Sequence, residues 1–232
     1  GVTFLMKKNK IRVFNGFGKL GKENTIHVTD SNNNETVIHS EKIIISTGAR
    51  SRELANVVQD GEKVIGYREA MNLKNQPKKM TIIGSGAIGI EFAFFYNSMG
   101  TEVTVIEYLD RIIPNEDEDI SRELEKILSK KGVKIIKSSS VKKTEIKDNE
   151  VEISVENSNG ENLTFNSEIV LSAVGVKTNI ENIGLEDIGI EVKNDKIVVD
   201  DFYKTNVDGY YAIGDVVPGQ SLAHVASAEG II

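Results

Sequence analysis

The residues of this chain that could do chemistry begin with three spaced glycines and an acidic residue that follows them. The glycines are Gly84, Gly86 and Gly89, and the acid is Glu107, at the end of the next apolar run. The pattern G-x-G-x-x-G is typical of a turn whose backbone N–H groups hold a dinucleotide diphosphate at the start of a helix. A carboxylate closing the following strand is placed to accept hydrogen bonds from ribose hydroxyls. These residues predict dinucleotide binding.

The elements around the glycines are those that the motif requires. Residues 80–83 are apolar and β-branched, which predicts a strand buried on both faces. A helix is expected from Gly89, and Gly100 is placed to end it in the left-handed conformation. Residues 101–107 then alternate as a second strand. A strand, a glycine turn, a helix and an acid-tipped strand make the motif far more specific than the glycines alone.

Glu107 also predicts which dinucleotide is preferred. A carboxylate at this position repels a 2′-phosphate, so NAD is expected to bind better than NADP. The residues that follow, Tyr108, Leu109 and Asp110, supply no cation, and Arg111 is the nearest one.

Composition excludes several classes of function. The chain has 232 residues, a formal net charge of −7 and 39% hydrophobic residues, which argues against a nucleic-acid surface. No apolar run has the length of a membrane span and no signal peptide opens the chain, so we expect no membrane association and a cytoplasmic location. There is no cysteine, which excludes a disulfide or thiol nucleophile within these residues. His27, His39 and His224 are scattered, and no metal site is predicted.

The residues before the glycine motif are expected to be rich in β-structure. Alternating polar and apolar residues predict strands at 10–14, 25–29 and 36–39, and residues 42–47 predict a further buried strand that ends at Gly48. Residues 49–79 are expected to be a connection with one short helix at 67–73.

A second helix and a third strand are predicted after Glu107. Asn115 is a plausible N-cap, and the acidic run 116–119 complements the helix dipole, which favours a helix start over a metal site. The apolar stripe of this helix is Ile120, Leu124, Ile127 and Leu128. Residues 133–136 then predict a strand, which completes a β-α-β-α-β unit.

The remaining residues predict a meander and two further buried strands. Alternating segments at 141–146, 151–155 and 162–165 predict the meander, and such a meander can replace the last crossover helix of a nucleotide-binding domain. Apolar strands are expected at 168–174 and at 209–214, the second ending at Asp215.

The fold class predicted from these patterns is α/β, with a Rossmann-like parallel sheet and a β-meander. The chain starts at Gly1 and ends at Ile232 within a helical run that opens at residue 223, so we expect a piece of a longer protein.

Taken together, these motifs resemble the two-dinucleotide-binding-domain flavoprotein disulfide reductases, the pyridine nucleotide-disulfide oxidoreductase family. The dihydrolipoamide dehydrogenase branch is the most similar. The motifs are residues 43–48, 84–91, 103–114, 173–175, 211–215 and 222–230. The resemblance implies a partial FAD-binding domain at 1–68, an NAD-binding domain at 69–195 and a returning segment of the FAD-binding domain at 196–232.

The resemblance implies a role for each motif residue, with NAD and FAD as cofactors. Residues implied to contact NAD are Gly84, Gly86, Ala87, Ile88, Gly89, Glu107 and Gly175. Residues implied to contact FAD are Thr47, Gly48, Asp215, Ala223 and His224. Glu91 is implied to have a supporting catalytic role near the flavin and nicotinamide, where the family pairs it with a lysine of the other domain.

Several parts of the family pattern have no counterpart in these residues. The first glycine motif that binds FAD, the redox-active cysteine pair and the interface domain with its His-Glu pair would lie outside the chain. In addition, residues 176–179 read Val-Lys-Thr-Asn where the family has Gly-Arg-x-Pro. The resemblance therefore implies no dihydrolipoamide oxidation by these residues alone.

Three functions are consistent with these residues. The first is the NAD-binding part of a dihydrolipoamide dehydrogenase, which as an intact homodimer would act on dihydrolipoamide carried by a lipoyl domain of a 2-oxo acid dehydrogenase or related complex. The second is another flavin disulfide reductase or an NADH oxidase of the same superfamily. The third is a dinucleotide-binding sensor without catalytic activity.

Overall fold

A computed structural model describes all 232 residues of the chain. The helices are α1 Val2–Lys8, α2 Tyr67–Ala70, α3 Ala87–Ser98, α4 Glu118–Lys130, α5 Leu185–Ile188 and α6 Ala223–Glu229, with a 3-10 turn at Gly214–Val216. The strands are β1 Phe17–Gly21, β2 Thr25–Thr29, β3 Glu35–His39, β4 Ile43–Ile45, β5 Ala49–Ser51, β6 Val64–Ile65, β7 Lys79–Ile83, β8 Glu102–Ile106, β9 Lys134–Ile136, β10 Ser139–Lys147, β11 Glu150–Asn157, β12 Asn162–Ser167, β13 Ile169–Ser172, β14 Val176–Thr178, β15 Val192–Lys193, β16 Lys196–Ile197 and β17 Tyr210–Ala212.

The chain forms two compact units. Unit 1 comprises residues 1–50 and 178–232, and unit 2 comprises residues 51–177. These boundaries lie at different residues from the predicted domain boundaries at 68/69 and 195/196. The first differs because β6, within the predicted connection, pairs with β13 and so belongs to the sheet of unit 2. The second differs because Leu185 and Ile197 are buried in the same core as Leu20 and Tyr210 of unit 1.

Unit 2 is built on a five-stranded parallel sheet. The strand order is β6-β13-β7-β8-β9. The central strands pair in register. Leu171 of β13 lies opposite Ile82 of β7, and Ile82 lies opposite Val105 of β8. Apolar side chains cover both faces of the sheet. For this reason the sequence of β7 does not alternate between polar and apolar residues. The sheet confirms the predicted Rossmann-like α/β class.

The meander lies on one side of this sheet. Strands β10, β11 and β12 pair antiparallel in chain order. Val151, Ile153 and Val155 of β11 are almost completely buried, and they share a core with Ile83 and Val170 of the parallel sheet. The antiparallel pairing of the three strands and the burial of every second residue of β11 confirm the predicted meander.

Helices α3 and α4 lie in the connections that follow β7 and β8. Gly100 has a φ of +97° directly after the last turn of α3, as predicted for a helix-ending glycine. The predicted N-cap of α4, Asn115, is wrong: Asp117 is the N-cap, and its side chain accepts a hydrogen bond from Asp119 N at 2.8 Å. The predicted stripe is half right, because Leu124 and Leu128 pack on the core whereas Ile120 and Ile127 are exposed.

Unit 1 contains three small sheets. Strands β1, β2 and β3 form an antiparallel meander, β4 pairs with β17 in parallel, and β15 pairs with β16 antiparallel. The prediction of a strand at 10–14 is wrong, because these residues are exposed and pair with no other strand; the chain instead forms α1 and then β1. The buried strand predicted at 42–47 is present as β4, but it is shorter and buried on one face only, since Ile44 is 55% exposed while Ile43 and Ile45 are buried. None of the six helices combines the length and the apolar character that a membrane span requires.

Candidate dinucleotide site

The turn between β7 and α3 depends on close backbone packing. Gly84 has a φ of +97°, and a Cβ at this residue would lie 2.5 Å from the Ala173 carbonyl oxygen. A Cβ on Gly89 would lie 2.0 Å from the Gly84 carbonyl oxygen. Both positions therefore require glycine, because a side chain would force apart the strand, the turn and the first turn of the helix.

Gly86 has a different environment from the other two glycines. Its φ is −65°, which any residue adopts, and no atom lies within 4 Å of a Cβ built on it. Gly86 is the N-cap of α3, where no side chain caps the helix and no acidic residue lies in the first turn. The first-turn N–H groups of this helix thus have no side-chain acceptor. The residues fit an anionic diphosphate, whose oxygens would occupy the space that a Cβ would fill.

A crevice of about 550 Å³ opens beside this turn. It lies at the carboxyl ends of β13, β7 and β8, where the strand order reverses, which is the usual ligand position in an open α/β sheet. Gly84, Gly86, Glu107 and Gly175, four of the residues expected to contact the dinucleotide, line it. The fold therefore brings together residues that are widely separated in sequence.

The Glu107 carboxylate is held by hydrogen bonds from the chain itself. Oε2 accepts from Ser85 N at 2.8 Å and from Ser85 Oγ at 2.6 Å, and Oε1 accepts from Leu109 N at 2.8 Å. Glu107 is 7% exposed and Ser85 is 0% exposed. The acid thus links the glycine turn to the end of β8 and still forms part of the crevice wall.

Part of the crevice wall was not predicted from the sequence. Asn56, Ser139, Ser140 and Val141 also line it. The Asn56 side chain donates a hydrogen bond to the Val141 carbonyl, and Ser139 N donates to the Glu107 carbonyl at 2.9 Å. The turn that precedes β10, and the strand that begins there, could have indicated that Ser139–Val141 line the crevice. Asn56 lies in a connection that has no recognisable motif.

Four of the unit 2 residues with implied roles do not line the crevice: Gly89, which is buried in the packing of the turn, and Ala87, Ile88 and Glu91. Ala87 is exposed at the first position of α3, and Ile88 is partly buried against the core of the sheet. Glu91 is exposed on α3 and lines a separate groove of about 600 Å³ with Met71, Phe92, Phe95, Tyr96, Met99 and neighbouring residues. Within this groove the Tyr96 hydroxyl donates to the Ala70 carbonyl, and burial raises the pKa of Tyr96.

The residues implied to contact FAD lie in unit 1. Thr47 and Gly48 follow β4, and Asp215 follows β17, so the parallel pairing of these strands places them at the same edge. Asn179 holds this loop, because its side chain donates to Thr47 O at 3.0 Å and its N–H donates to Gly48 O at 2.9 Å. Ala223 and His224 are exposed at the start of α6.

The turn that contains Asp215 is held from two elements, which the sequence did not indicate. Glu229 of α6 is 7% exposed and accepts a hydrogen bond from Gly214 N at 2.6 Å. Lys196 of β16 donates to the Asp215 carbonyl oxygen. Burial and the nearby Glu229 carboxylate raise the pKa of Tyr203.

Comparison with protein families identifies the chain. Residues 1–230 match the family model described as pyridine nucleotide-disulphide oxidoreductase. Curated relatives named dihydrolipoyl dehydrogenase include those of Rhizobium etli, 42% identical over 246 residues, and Bacillus subtilis, 41% identical over 241 residues. Each alignment covers 100% of this chain and 51% of the relative. The chain spans about half the length of the curated relatives it matches.

Solved structures agree with this assignment. LpdA from Mycobacterium tuberculosis superimposes with a TM-score of 0.89 at 27% identity, covering 99% of this chain and 50% of that one. The HOCl-induced flavoprotein disulfide reductase RclA from Escherichia coli superimposes with a TM-score of 0.85 at 28% identity, covering 100% of this chain and 53% of that one. By the match of residues 1–230, the chain belongs to the pyridine nucleotide-disulphide oxidoreductase family.

Proposed function

We propose that unit 2 is the NAD(H)-binding part of a dihydrolipoyl dehydrogenase. The observation that carries the proposal is the crevice at the carboxyl ends of β13, β7 and β8, which combines an open Gly86, an uncapped start of α3 and the Glu107 carboxylate. A diphosphate needs the first two features, and an adenosine ribose needs the third.

Each residue has a defined task in this proposal. The N–H groups at the start of α3 hold the diphosphate, aided by the positive end of the helix dipole. Glu107 accepts a hydrogen bond from the ribose, and its charge disfavours a 2′-phosphate at the same place. Gly175 leaves room for the dinucleotide at the end of β13, because no atom lies within 4 Å of a Cβ built on it.

For unit 1 we propose a contribution to an FAD site. Asp215, at the end of β17, would accept hydrogen bonds from the hydroxyls of the ribityl chain, and Thr47 and Gly48 lie at the same edge. Glu229 and Lys196 hold the backbone on either side of Asp215, which leaves its carboxylate to the ligand. In such an enzyme the cofactors supply the redox chemistry, since hydride passes between a reduced flavin and NAD⁺ when both are bound.

The substrate of the intact enzyme is part of the proposal. Curated relatives that match the whole chain are named dihydrolipoyl dehydrogenase, so the dithiol donor would be dihydrolipoamide on a lipoyl domain, oxidised by a homodimer. These 232 residues contain no cysteine, so the dithiol–disulfide exchange would depend on residues outside them. Glu91 keeps a supporting role in this proposal, on the exposed face of α3.

A titration of the chain with NADH and NADPH tests the proposal. Bound NADH is followed by its fluorescence, and ADP-ribose is used as a competitor for the adenosine half of the site. Saturable NADH binding that ADP-ribose displaces, with weaker NADPH binding, is the expected result. Absence of saturable binding, or NADH binding that persists unchanged in Gly86→Ala, would contradict the proposal.

A second candidate is a flavoprotein disulfide reductase with a different substrate. The likeness to RclA of Escherichia coli, at a TM-score of 0.85, favours it. The two candidates share the dinucleotide crevice and differ in the disulfide substrate. Steady-state assays of the intact protein with dihydrolipoamide and NAD⁺ separate them, because only the first candidate predicts turnover.

A further inference from the structure

A second concave site of unit 2 lies between α3 and the segment 70–76 that ends α2 and follows it. It is the groove of about 600 Å³ that Glu91 lines, and it shares no lining residue with the dinucleotide crevice. Most of its lining residues are apolar, and a volume of this size is typical of sites that hold small molecules. The groove is therefore a candidate site that the NAD(H) function does not use.

Hydrogen bonds between the two walls hold the groove open without a ligand. The Tyr96 hydroxyl of α3 donates to the carbonyl of Ala70, and both residues are buried. The side chain of Gln76 donates to the carbonyl of Met99, directly after α3, at 2.7 Å. Two separate points thus fix the spacing of the walls, and a ligand would find the groove already formed.

Three aromatic rings of α3 give the groove its apolar surface. The rings of Phe92 and Tyr96 stack with centroids 6.2 Å apart, and the ring of Phe95 meets Tyr96 edge-on at 5.1 Å. Phe95, Met99 and Met71 are each more than half exposed. Ring faces and methionine side chains pack well against a flat apolar group, and ring faces also attract cations.

Glu91 is the one charged residue that lines the groove. Its side chain is exposed and makes no hydrogen bond or ion pair within the chain. A free carboxylate beside aromatic faces attracts a positive charge and repels a negative one. The charge of the groove thus selects among apolar ligands in favour of those that carry a cation.

From these features we propose that the groove binds an amphiphilic cation, a small molecule that combines a flat apolar body with a protonated amine. The apolar body lies against Phe92, Phe95 and Met99, and the ammonium group donates to the carboxylate of Glu91. The inference goes beyond the proposed NAD(H) function and does not depend on it, because the two sites have no residue in common.

Titration of the chain with three naphthalene derivatives tests the charge requirement. At neutral pH, 1-naphthylmethylammonium is cationic, 1-naphthylmethanol is neutral and 1-naphthoate is anionic, and all three carry the same ring. Isothermal titration calorimetry measures the affinities. The ammonium compound should bind about tenfold more tightly than the alcohol, the gain expected from one charge-assisted hydrogen bond, and naphthoate should show no saturable binding.

Variants of two exposed residues identify the groups that bind the probe. Glu91→Gln keeps the shape of the side chain and should lower the affinity for the ammonium compound to about that for the alcohol. Phe95→Ala should weaken binding of both compounds about threefold or more, because it removes a ring from the wall. Glu116→Gln, at an exposed position outside the groove, makes the same change of net charge as Glu91→Gln and should alter neither affinity by more than about twofold. Because Glu91 and Phe95 are exposed, neither variant requires the core to repack.

Several results would overturn the inference. Equal affinities for the ammonium compound and the alcohol would do so, as would an unchanged preference in Glu91→Gln. Displacement of the probe by ADP-ribose would place it in the dinucleotide crevice instead. Probe binding that weakens as the chain concentration rises would mean that a second copy fills the groove, and loss of binding in the intact protein would mean that its own residues do. Failure of the proposed function is distinguishable, because the chain would then not bind NADH, whereas the naphthalene titrations would be unaffected.

Discussion

Gly89 packs against Gly84 so closely that a Cβ on Gly89 would lie 2.0 Å from the Gly84 carbonyl oxygen. The same turn leaves Gly86 facing open space. Two glycines of one motif thus have separate tasks, one in packing the helix on the turn and the other in leaving room for a ligand.

This difference predicts that substitution by alanine affects ligand binding at Gly86 and stability at Gly89. Gly86→Ala should leave the melting temperature nearly unchanged and weaken NADH binding by about tenfold or more, because the methyl group occupies the space proposed for the diphosphate. Circular dichroism melting and NADH fluorescence titration measure the two effects.

Gly89→Ala is the matched control for Gly86→Ala. It should lower the free energy of unfolding by about 3 kcal/mol or more, because the new Cβ meets backbone atoms that cannot move aside. A Gly86→Ala protein that binds NADH as well as the unaltered chain would argue against the diphosphate position.

The unit around these glycines could be predicted from sequence because its signals are local. The β-branched run of β7, the glycine spacing and Gly100 at the end of α3 each report on a few adjacent residues. The crevice wall formed by Asn56 and Val141 could not be predicted, because it depends on the packing of distant segments. The link between Ser85 and Glu107 is likewise a tertiary contact, which no periodicity encodes.

The wrong predictions have physical causes as well. Asn115 and Asp117 are both good N-cap residues, and only the position of the first helical turn after Pro114 decides between them. Residues 10–14 alternate as a strand does, but a strand forms only where a neighbour supplies hydrogen bonds, and these residues have no such neighbour. Ile44 is exposed because β4 has the core on one face only.

Glu107→Gln should reduce the preference for NADH over NADPH. The substitution removes the charge that repels a 2′-phosphate. It also replaces one carboxylate oxygen, which accepts from Ser85 N or Leu109 N, by an NH2 group that cannot accept a hydrogen bond. We expect about a tenfold loss of NADH affinity and a smaller loss for NADPH, measured by fluorescence titration.

The matched control for Glu107→Gln is Asp110→Asn, which makes the same change of net charge on an exposed residue of the following loop. It should leave both affinities within about twofold, since an exposed charge is screened by solvent and salt. An unchanged NADH to NADPH ratio in Glu107→Gln would show that this carboxylate does not set the preference.

Two buried serines of unit 2 predict opposite effects on stability. Ser172 Oγ is buried without a hydrogen-bond partner, whereas Ser167 Oγ lies 2.6 Å from the buried Thr81 Oγ1. Ser172→Ala should leave the free energy of unfolding unchanged or raise it by about 1 kcal/mol, because it removes an unpaired hydroxyl. Ser167→Ala should lower it by about 1–3 kcal/mol, because it leaves the Thr81 hydroxyl unpaired.

Urea unfolding followed by circular dichroism measures both serine variants. Each change removes one oxygen from a residue that is at most 4% exposed, so burial is matched between them. A Ser172→Ala protein that is less stable than Ser167→Ala would mean that the Ser172 hydroxyl has a stabilising partner.

Asp60 predicts a pH dependence of stability in unit 2. Burial raises its pKa, but hydrogen bonds from Glu62 N, Val64 N and Lys63 N to Oδ1 outweigh burial, and the folded-state pKa lies below its ordinary value of 3.8. A carboxyl whose pKa is lowered by folding stabilises the protein when it is ionised in both states. Its contribution is therefore complete above the unfolded pKa of 3.8 and is lost as the pH falls through the lower, folded value.

The comparison of the unaltered chain with Asp60→Asn isolates this contribution from that of other carboxylates. At pH 7 the variant should be less stable by about 1 kcal/mol, because a neutral amide oxygen accepts the same N–H bonds more weakly. The difference should shrink as the pH falls below 3.8, since protonation makes the acid neutral as well. Asp201→Asn, at an exposed position, serves as the charge-matched control. A difference between the unaltered chain and Asp60→Asn that stays constant from pH 7 to the acid limit would show that the charge of Asp60 does not stabilise the turn before β6.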